Sequence, residues 1–207
     1  MDAQHQQVIV VPYRQREDHL RKFLQKMSNH KICIIEQAIG KPFNRGKLLN
    51  IGFDFCKQFQ SFVFHDVDML PITVNYNADK SNPVHLAGRV QQFRYKMPYP
   101  EYFGGVTVFT NDQFLRCNGF SNEYWGWGGE DDELYRRVLS AKMKPIFRPE
   151  RFISLSHQHC KVDELHQFNV ERLSKPIDLE DGLNSLNYEI IQTISQTDSL
   201  KHIIVDI

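Results

Sequence analysis

The 207-residue sequence has neither an excess of one charge nor a long apolar run. Its 25 basic and 25 acidic residues give a formal net charge of 0, so no overall positive field would attract nucleic acid or anionic lipid. No apolar run approaches the roughly 20 residues that a membrane span needs, and the polar residues 1–7 do not resemble a signal peptide. We therefore expect a soluble protein that binds no nucleic acid and has no membrane span.

Cysteine is also scarce, and the four cysteines are far apart: Cys33, Cys56, Cys117 and Cys160. None forms the Cys-x-x-Cys pair that is typical of zinc or redox sites. Cys33 and Cys56 lie in apolar segments, where a buried, reduced thiol is the default. A reducing compartment fits this pattern. Repeats, low-complexity tracts and linkers are missing too, so we expect residues 1–207 to form a single domain.

Hydrophobic runs alternate with helical patterns in the first third of the chain. Residues 8–11, 32–35 and 62–68 are predicted to be strands, buried at least over their apolar residues. Residues 16–27 have helical spacing of apolar side chains, and Asn44 is predicted to cap a helix that extends to residue 59. This order predicts an α/β fold with a mostly parallel central sheet. No glycine fingerprint follows the first strand, which argues against a classical dinucleotide site.

The remaining two thirds of the chain are predicted in less detail. Residues 69–103 are expected to form loops and a flap. The elements predicted after them are a strand at 104–109, a short helix capped by Asn111, a helix beginning near 130, a strand at 153–159, a polar helix at 161–174 and strands near 186–195 and 202–207.

Two carboxylates lie at the end of the third predicted strand, where it emerges from the sheet. Asp66 and Asp68 are spaced to lie on one side of an extended backbone, at the sheet edge where α/β proteins bind ligands. Their oxygens suit Mg²⁺ or Mn²⁺, metals that commonly carry a diphosphate. The alternative is a turn in which both carboxylates only accept hydrogen bonds from backbone amides, and the stretch alone slightly favours that turn.

A glycine-rich aromatic loop runs into four acids at residues 130–133. Acids favour the positive end of a helix dipole, so an ordinary acidic helix start is one interpretation. It leaves Trp125 and Trp127, each flanked by glycine, unexplained. A tryptophan ring beside carboxylates can hold a sugar, because the ring covers the apolar face and the acids bind the hydroxyls. We favour a sugar site.

Histidines and arginines supply two further patterns. His157 and His159 would face the same side of a strand and could complete a metal site with Asp68, although such a pair alone is more often solvated or satisfied in the core. Arg14, Arg16 and Arg45 follow the first two predicted strands. Singly they would be solvated arginines, and together they outline a crevice for a nucleotide.

The sequence resembles the β-1,4-galactosyltransferase family in the order and spacing of its motifs, over nearly the whole chain. The matching segments are residues 11–16 (VPYRQR), 43–50 (FNRGKLLN), 65–68 (HDVD), 102–106 (YFGGV), 125–132 (WGWGGEDD), 181–186 (DGLNSL) and 205–207 (VDI). The resemblance implies a GT-A fold, a UDP-galactose donor, Mn²⁺ and inversion at the anomeric carbon.

The resemblance also implies roles for the donor-side and metal-side residues. The uridine and ribose end of the donor would be held by Pro12, Tyr13, Arg14, Gln15, Arg16, Phe43, Asn44 and Arg45. Val67 and Asp68 would meet the donor and the metal. The Mn²⁺ ligands would be Asp68, His157 and His159, with a His-x-His pattern like that of the xylose-directed branch.

On the acceptor side, the resemblance implies a sugar-binding set of Gly129, Glu130, Asp131 and Asp132. Asp131 would be the general base that takes the proton of the acceptor hydroxyl. Trp127 would lie on a mobile loop at the donor phosphate and shape the acceptor pocket. Tyr102 matches the position where tyrosine favours galactose over N-acetylgalactosamine. The acceptor is a saccharide of undetermined type, such as glucosamine, xylose, glucose or a polymer end.

Two departures from the family concern the compartment. Animal members are Golgi enzymes with a membrane anchor, a stem and disulfides. This sequence starts almost at its first predicted strand, and Ser61 stands near an expected cysteine. We expect a cytoplasmic enzyme of bacterial type, the alternative being a Golgi lumenal enzyme if the chain is a piece of a longer protein.

The sequence thus predicts a metal-dependent inverting β-1,4-galactosyltransferase. Three alternatives remain. The same fold would serve a UDP-N-acetylgalactosamine donor. A carbohydrate-binding module without catalysis would keep the aromatic and acidic pocket. A phosphohydrolase would also have Asp-x-Asp after a buried strand, but Leu70 stands where its usual threonine would be.

Overall fold

A mixed sheet of eight strands forms the centre of the computed structural model, which describes residues 6–156 and 164–207. In chain order the strands are β1 (Gln7–Tyr13), β2 (Ile32–Gln37), β3 (Ser61–His65), β4 (Met69–Thr73), β5 (Val84–His85), β6 (Arg89–Val90), β7 (Val106–Thr110), β8 (Ile146–Phe147), β9 (Arg151–Ser154), β10 (Glu189–Gln196) and β11 (Leu200–Asp206). The α-helices are α1 (Glu17–Lys26), α2 (Arg45–Phe55), α3 (Asn111–Arg116), α4 (Glu130–Ser140) and α5 (Glu164–Leu173).

The large sheet has the order β10-β11-β2-β1-β3-β7-β5-β8. β1 pairs in parallel with both β2 and β3, and β11 is parallel to β2, which confirms the predicted parallel centre. β7 runs antiparallel to β3, so residues that precede β7 meet residues that follow β3. The carboxyl ends of β1, β2 and β3 therefore share one edge of the sheet with the start of β7.

Successive residues of the parallel strands serve two hydrophobic cores, one on each face of the sheet. Val8 and Val10 belong to the core beneath α2, and Ile9 and Val11 to the core on the opposite face. α2 lies very close to the sheet, since a Cβ atom on Gly52 would be 2.1 Å from Val10 Cγ1. This close approach fixes the first residues of α2 beside the end of β3.

Two helices, α2 and α3, begin with a side-chain cap, and the sequence predicted one of these caps correctly. Asn44 caps α2 as predicted, because its side chain accepts a hydrogen bond from the amide of Lys47 at 2.9 Å. The cap of α3 is Thr110 and not Asn111. Thr110 is extended, and its hydroxyl oxygen accepts from the amide of Gln113. Its own amide donates to the side-chain oxygen of Gln113, which completes a capping box.

Two predictions about strands need correction. Residues 69–103 contain β4, β5 and β6 in addition to loops, because chain segments far away in sequence supply their partners: β4 and β6 pair with β9 in a second sheet of three strands. β9 ends at Ser154, whereas the predicted strand extended to 159. His157 and His159 lie outside the described residues.

Two sequence expectations concern the cysteines and the membrane. Cys33, Cys56 and Cys117 are buried free thiols, and Cys160 is outside the described residues. In the two described segments, no helix combines the length and the apolar character needed to cross a bilayer.

Candidate active site

The turn after β3 is anchored to segments that lie far from it in sequence. The amide of Asp66 donates to the carbonyl oxygen of Gly105 at 3.0 Å, and the amide of Leu155 donates to the carbonyl oxygen of Asp68 at 2.7 Å. The carboxylates face arginines: Arg45 Nε lies 2.7 Å from Asp66 Oδ1, and Arg16 Nη1 lies 3.0 Å from Asp68 Oδ2. The turn thus gathers charged groups at the sheet edge and does more than satisfy its own amides.

Arg45 connects the turn to the acidic helix α4. Its side chain is only 14% exposed, and Nη1 lies 3.5 Å from Glu130 Oε1. Burial alone would lower the pKa of Arg45, but the carboxylates of Asp66, Glu130 and Asp131 raise it above its ordinary value. Arg45 is therefore a permanent positive charge among three acids.

Asp131 is the acid with the most unusual environment. Burial of its carboxyl group, followed by repulsion from Glu130 and Asp132, raises its pKa to about 8, although Arg45 opposes the increase. The residue keeps a partly exposed surface, so a substrate hydroxyl can approach it. A carboxyl group with a pKa near neutrality suits proton transfer at physiological pH, and such perturbed groups concentrate at functional sites.

Glycine is required where β7 approaches this acid. A Cβ atom on Gly104 would lie 2.2 Å from Asp131 Oδ2 and 2.9 Å from the hydroxyl of Tyr102. Burial, with Asp131 and Asp66 nearby, raises the pKa of Tyr102 well above its usual range, so the ring stays neutral. The Tyr99 hydroxyl donates to Asp132 Oδ1 at 2.8 Å. Two tyrosines and the α4 acids therefore form one cluster beside Gly104.

The loop that carries the tryptophans is held from two sides. The amide of Gly126 donates to the carbonyl oxygen of Phe43 at 2.8 Å, which joins the loop to the predicted nucleotide side. From α5, Asn169 Nδ2 donates to the carbonyl oxygens of Trp125 at 3.0 Å and Trp127 at 3.3 Å. The Trp127 ring lies 4.9 Å from that of His166 yet is 57% exposed, so one broad apolar surface faces solvent.

The residues predicted for the uridine end divide into exposed and structural groups. Arg14 lies over the Phe43 ring at 5.2 Å and donates to the carbonyl oxygen of Lys41 at 2.7 Å. Tyr13 is buried, and its hydroxyl accepts from the amide of Arg16 at 3.1 Å. The buried residues of the set also stabilise the fold, as Asn44 does by capping α2.

The other members of the predicted set lie along the same edge. Pro12 and Val67 are buried in the strand end and the turn, and Gln15 has a positive φ of 48°. Gly129, with φ of 91°, precedes α4 and packs on Tyr124. Of the three predicted metal ligands, only Asp68 belongs to the described residues, and it offers the oxygen ligand type that Mn²⁺ accepts. Within residues 6–156 and 164–207, no group of three or more His, Cys, Asp or Glu could hold a metal ion.

Sequence reasoning missed three side chains that touch the site: His85, His166 and Asn169. His166 and Asn169 belong to a mostly polar helix, where such residues usually face solvent. His85 belongs to a strand of two residues, which is too short for a periodic pattern.

Two family descriptions match consecutive parts of the chain. The one described as the N-terminal region of glycosyl transferase group 7 matches residues 1–78. The one described as the N-terminal domain of galactosyltransferase matches residues 84–175.

Individual proteins show the same likeness. β-1,4-galactosyltransferase 3 of Cricetulus griseus is 40% identical over 209 residues, which cover 92% of this chain and 53% of that protein. The chain thus spans about half the length of the curated relatives it matches. The solved catalytic domain of Drosophila β-1,4-galactosyltransferase 7, in complex with xylobiose, has a TM-score of 0.80 at 26% identity, with 97% of this chain and 92% of that chain covered.

A mutant of the Drosophila enzyme in complex with manganese, UDP-Gal and xylobiose has a TM-score of 0.77. It is 24% identical, with 97% of this chain and 92% of that chain covered, and supports the fold. The large, mostly parallel central sheet of the present chain is that of the GT-A type galactosyltransferase domains.

Proposed function

The chain belongs to the β-1,4-galactosyltransferase family of glycosyl transferase group 7, and we propose that it transfers galactose from UDP-galactose to a sugar hydroxyl with inversion at the anomeric carbon. Residues 1–207 would form one catalytic domain. The observation that carries the proposal is the setting of Asp131, whose carboxyl group has its pKa raised to about 8 in a cluster that also contains Arg45 and Tyr102.

The reaction is a single displacement. Asp131, when ionised, accepts the proton of the acceptor hydroxyl as that oxygen forms a bond to the anomeric carbon. The bond from the anomeric carbon to the β-phosphate oxygen breaks, and its electron pair leaves with UDP. A positioned base of this kind contributes about 10²–10⁴-fold to the rate.

The donor would lie along the sheet edge. Arg14 and Phe43, which stack at 5.2 Å, offer a planar surface for the uracil ring, and Arg16 offers charge to the ribose and diphosphate. Tyr102 lies beside Gly104 with Asp131, where its ring would contact the galactose and leave little room for an N-acetyl group.

Mn²⁺ is the proposed metal, with Asp68, His157 and His159 as ligands. Support from the described residues is the hydrogen bond from the Leu155 amide to Asp68, because Leu155 lies only two positions before His157 in the chain. When bound, the metal would offset the negative charge that develops on the departing UDP. In the described structure the Asp68 carboxylate forms an ion pair with Arg16, whose Nη1 lies 3.0 Å from Asp68 Oδ2.

The acceptor would bind across the α4 acids. Gly129, Glu130 and Asp132 lie at the helix start, and their polar groups would bind the hydroxyls of the sugar. The exposed surface of Trp127 would cover its apolar face and exclude water, which is a competing acceptor. A β-linked sugar such as xylobiose, which the Drosophila relative binds, belongs in the first acceptor panel.

The test is UDP release and product formation from UDP-galactose with xylobiose, xylose, glucose and N-acetylglucosamine, with and without Mn²⁺. We expect transfer to at least one acceptor, only with metal. Turnover without divalent metal would contradict the metal assignment, and calorimetric sugar binding without any turnover would contradict the catalytic proposal.

Asp131→Asn tests the base. We expect transfer to fall by about 10²–10⁴-fold while UDP-galactose affinity stays within about threefold. Asp112→Asn is the matched control, since the Asp112 side chain is 81% exposed on α3. Wild-type activity in Asp131→Asn would remove Asp131 from the mechanism.

A further inference from the structure

His85 is a buried histidine that has no part in the proposed mechanism although it lies against the site. It is 1% exposed and ends β5. Its Nε2 lies 2.9 Å from the carbonyl oxygen of Gly104, and its Nδ1 is buried without a hydrogen-bond partner among the described residues. A half-satisfied imidazole at such a position calls for a physical reason.

The hydrogen bond to Gly104 determines the state of the ring. A carbonyl oxygen only accepts, so the proton must be on Nε2 and the unpaired Nδ1 carries the lone pair. Burial lowers the pKa of His85 to about 4, so the ring is neutral under ordinary conditions. A phenylalanine ring would fill similar space without a desolvated nitrogen. The cost of that nitrogen is offset here by the bond to Gly104.

Gly104 lies between two residues on which the proposed reaction depends. A Cβ atom on Gly104 would lie so close to the Asp131 carboxylate and the Tyr102 hydroxyl that both groups would have to shift. The next residue, Gly105, has φ of 80° and accepts the amide of Asp66. Movement of the Gly104 carbonyl would therefore displace the backbone against which Asp131 and Tyr102 pack.

His85 also contacts Tyr102 directly. The two rings meet edge to face, with centroids 5.4 Å apart and an interplanar angle of 90°. Phe103 and Phe147 complete the surroundings at 5.7 Å and 5.6 Å. The imidazole thus contacts both the Tyr102 ring and the backbone turn at Gly104, whose carbonyl oxygen also accepts from the amide of Val106 at 3.0 Å.

We propose that His85 is a positioning residue that, by donating from Nε2 to the Gly104 carbonyl oxygen, sets the spacing between Tyr102 and Asp131 and so influences both the transfer step and donor selection. The inference rests on the proposed function. It adds a residue outside the family motifs quoted above.

The test compares His85→Phe, which keeps the ring shape but removes the donor, with His85→Gln, whose amide can donate to the same carbonyl. Phe147→Leu is the control for packing, since Phe147 touches His85 but has no polar contact with the site. We expect His85→Phe to lower kcat by about 10–100-fold, because misplacement near 1 Å costs up to 10²-fold, with KM for UDP-galactose changed less than threefold.

Donor selection gives a second readout. The ratio of UDP-N-acetylgalactosamine to UDP-galactose use should rise several-fold in His85→Phe, because the Gly104 turn next to Tyr102 loses the hydrogen bond that His85 donates. In His85→Gln, both kcat and the donor ratio should be closer to the wild-type values than in His85→Phe. Phe147→Leu should lower the melting temperature without a change in the ratio. An unchanged kcat and ratio in His85→Phe, or the same changes in Phe147→Leu, would overturn the proposal.

A readout independent of activity separates this proposal from the proposed function. The pKa of Asp131, followed by ¹³C NMR of its carboxyl group, should shift measurably in His85→Phe, because a displaced Gly104 turn would change the burial of that carboxyl group. It should not move in Phe147→Leu. If wild-type protein has no transferase activity, the proposed function fails, while the NMR titration still decides whether His85 positions the turn.

Discussion

At the level of single residues, the carboxyl group of Asp131 determines how the protein should respond to pH. Its pKa is raised to about 8, chiefly by burial. In the proposed mechanism Asp131 must be ionised to accept the proton of the acceptor, yet the folded protein disfavours the ionised form. Activity and stability should therefore change in opposite directions as the pH rises.

The first consequence is that transfer should lose activity at an unusually high pH as the solution is made more acidic. Since only ionised Asp131 accepts a proton, kcat/KM should rise with pH to a midpoint near 8, which is far above the pKa of about 3.9 of an ordinary aspartate. Initial rates from pH 5.5 to 9.5 at saturating Mn²⁺ would measure it. A midpoint below pH 5 would show that Asp131 is not the base or is not desolvated.

The second consequence concerns stability. Because the folded pKa lies above the unfolded one, the folded state binds more protons between about pH 4 and 8, and the free energy of unfolding falls as the pH rises through that window. Asp131→Asn removes the buried charge. It should be more stable than wild type at pH 8.5 by more than about 1 kcal/mol, given about 1.4 kcal/mol per pKa unit, and should lose this advantage near pH 4.

Urea denaturation at both pH values would measure the difference. The exposed control Asp112→Asn should match wild type at both. A stabilisation in Asp131→Asn that is the same at pH 4 and pH 8.5 would contradict the ionisation argument.

At the level of elements, the sequence predicts those whose evidence is local. β1, β2, β3 and α2 have β-branched runs, helical spacing or a cap at Asn44. β5, β6 and β8 are two residues long and exist because segments distant in sequence pair with them. No local pattern encodes such strands, since their stability comes from tertiary contacts.

In the site, too, local features were predictable from the sequence and tertiary contacts were not. Residue types and the sheet edge were predictable, because carboxylates and arginines follow buried strands. The pairing was not: Arg16 faces Asp68 and Arg45 faces Asp66. Such choices depend on where each side chain leaves the backbone, and they appear only once β7 is paired with β3 and α4 is packed against α2.

Helix α5 gives the prediction that belongs to this level. Asn169, 4% exposed, donates to the carbonyl oxygens on both sides of Gly126 and so fixes the tryptophan loop. Asn169→Ala should loosen the loop, admit water and raise the ratio of UDP-galactose hydrolysis to transfer by at least about threefold, since loop closure excludes water. Product analysis with saturating acceptor measures the ratio.

Gln167→Ala is the matched control, because Gln167 is exposed on the same helix. Its ratio should equal that of wild type. An unchanged ratio in Asn169→Ala would mean that the loop is held adequately by Phe43, through its bond with Gly126.

At the level of the whole molecule, residues 178–185 fasten the acidic helix to the rest of the fold. Arg137, 1% exposed on α4, pairs with Glu133 at 2.7 Å and donates to the carbonyl oxygens of Asp181 at 2.6 Å and Asp178 at 2.9 Å. Asp181 in turn accepts from the amide of Asn122 at 3.0 Å. The segment 181–186, which carries part of the family resemblance, thus has a structural function in the described chain.

Arg137→Met tests how far the fold depends on this connection. The change leaves Glu133 buried without its partner, and breaking a buried pair in this way costs about 3–5 kcal/mol. For a chain of this size about 2–4 °C of melting temperature corresponds to each kcal/mol, so we expect a loss near 10 °C.

Arg21→Met is the control, because the Arg21 and Asp18 side chains are 59% and 81% exposed and such a pair is worth under about 1 kcal/mol. Equal melting temperatures for the two variants would show that α4 keeps its place without the 178–185 segment. A large loss in Arg137→Met with kcat preserved at low temperature would show that this connection supports the fold and leaves the chemistry of Asp131 unchanged.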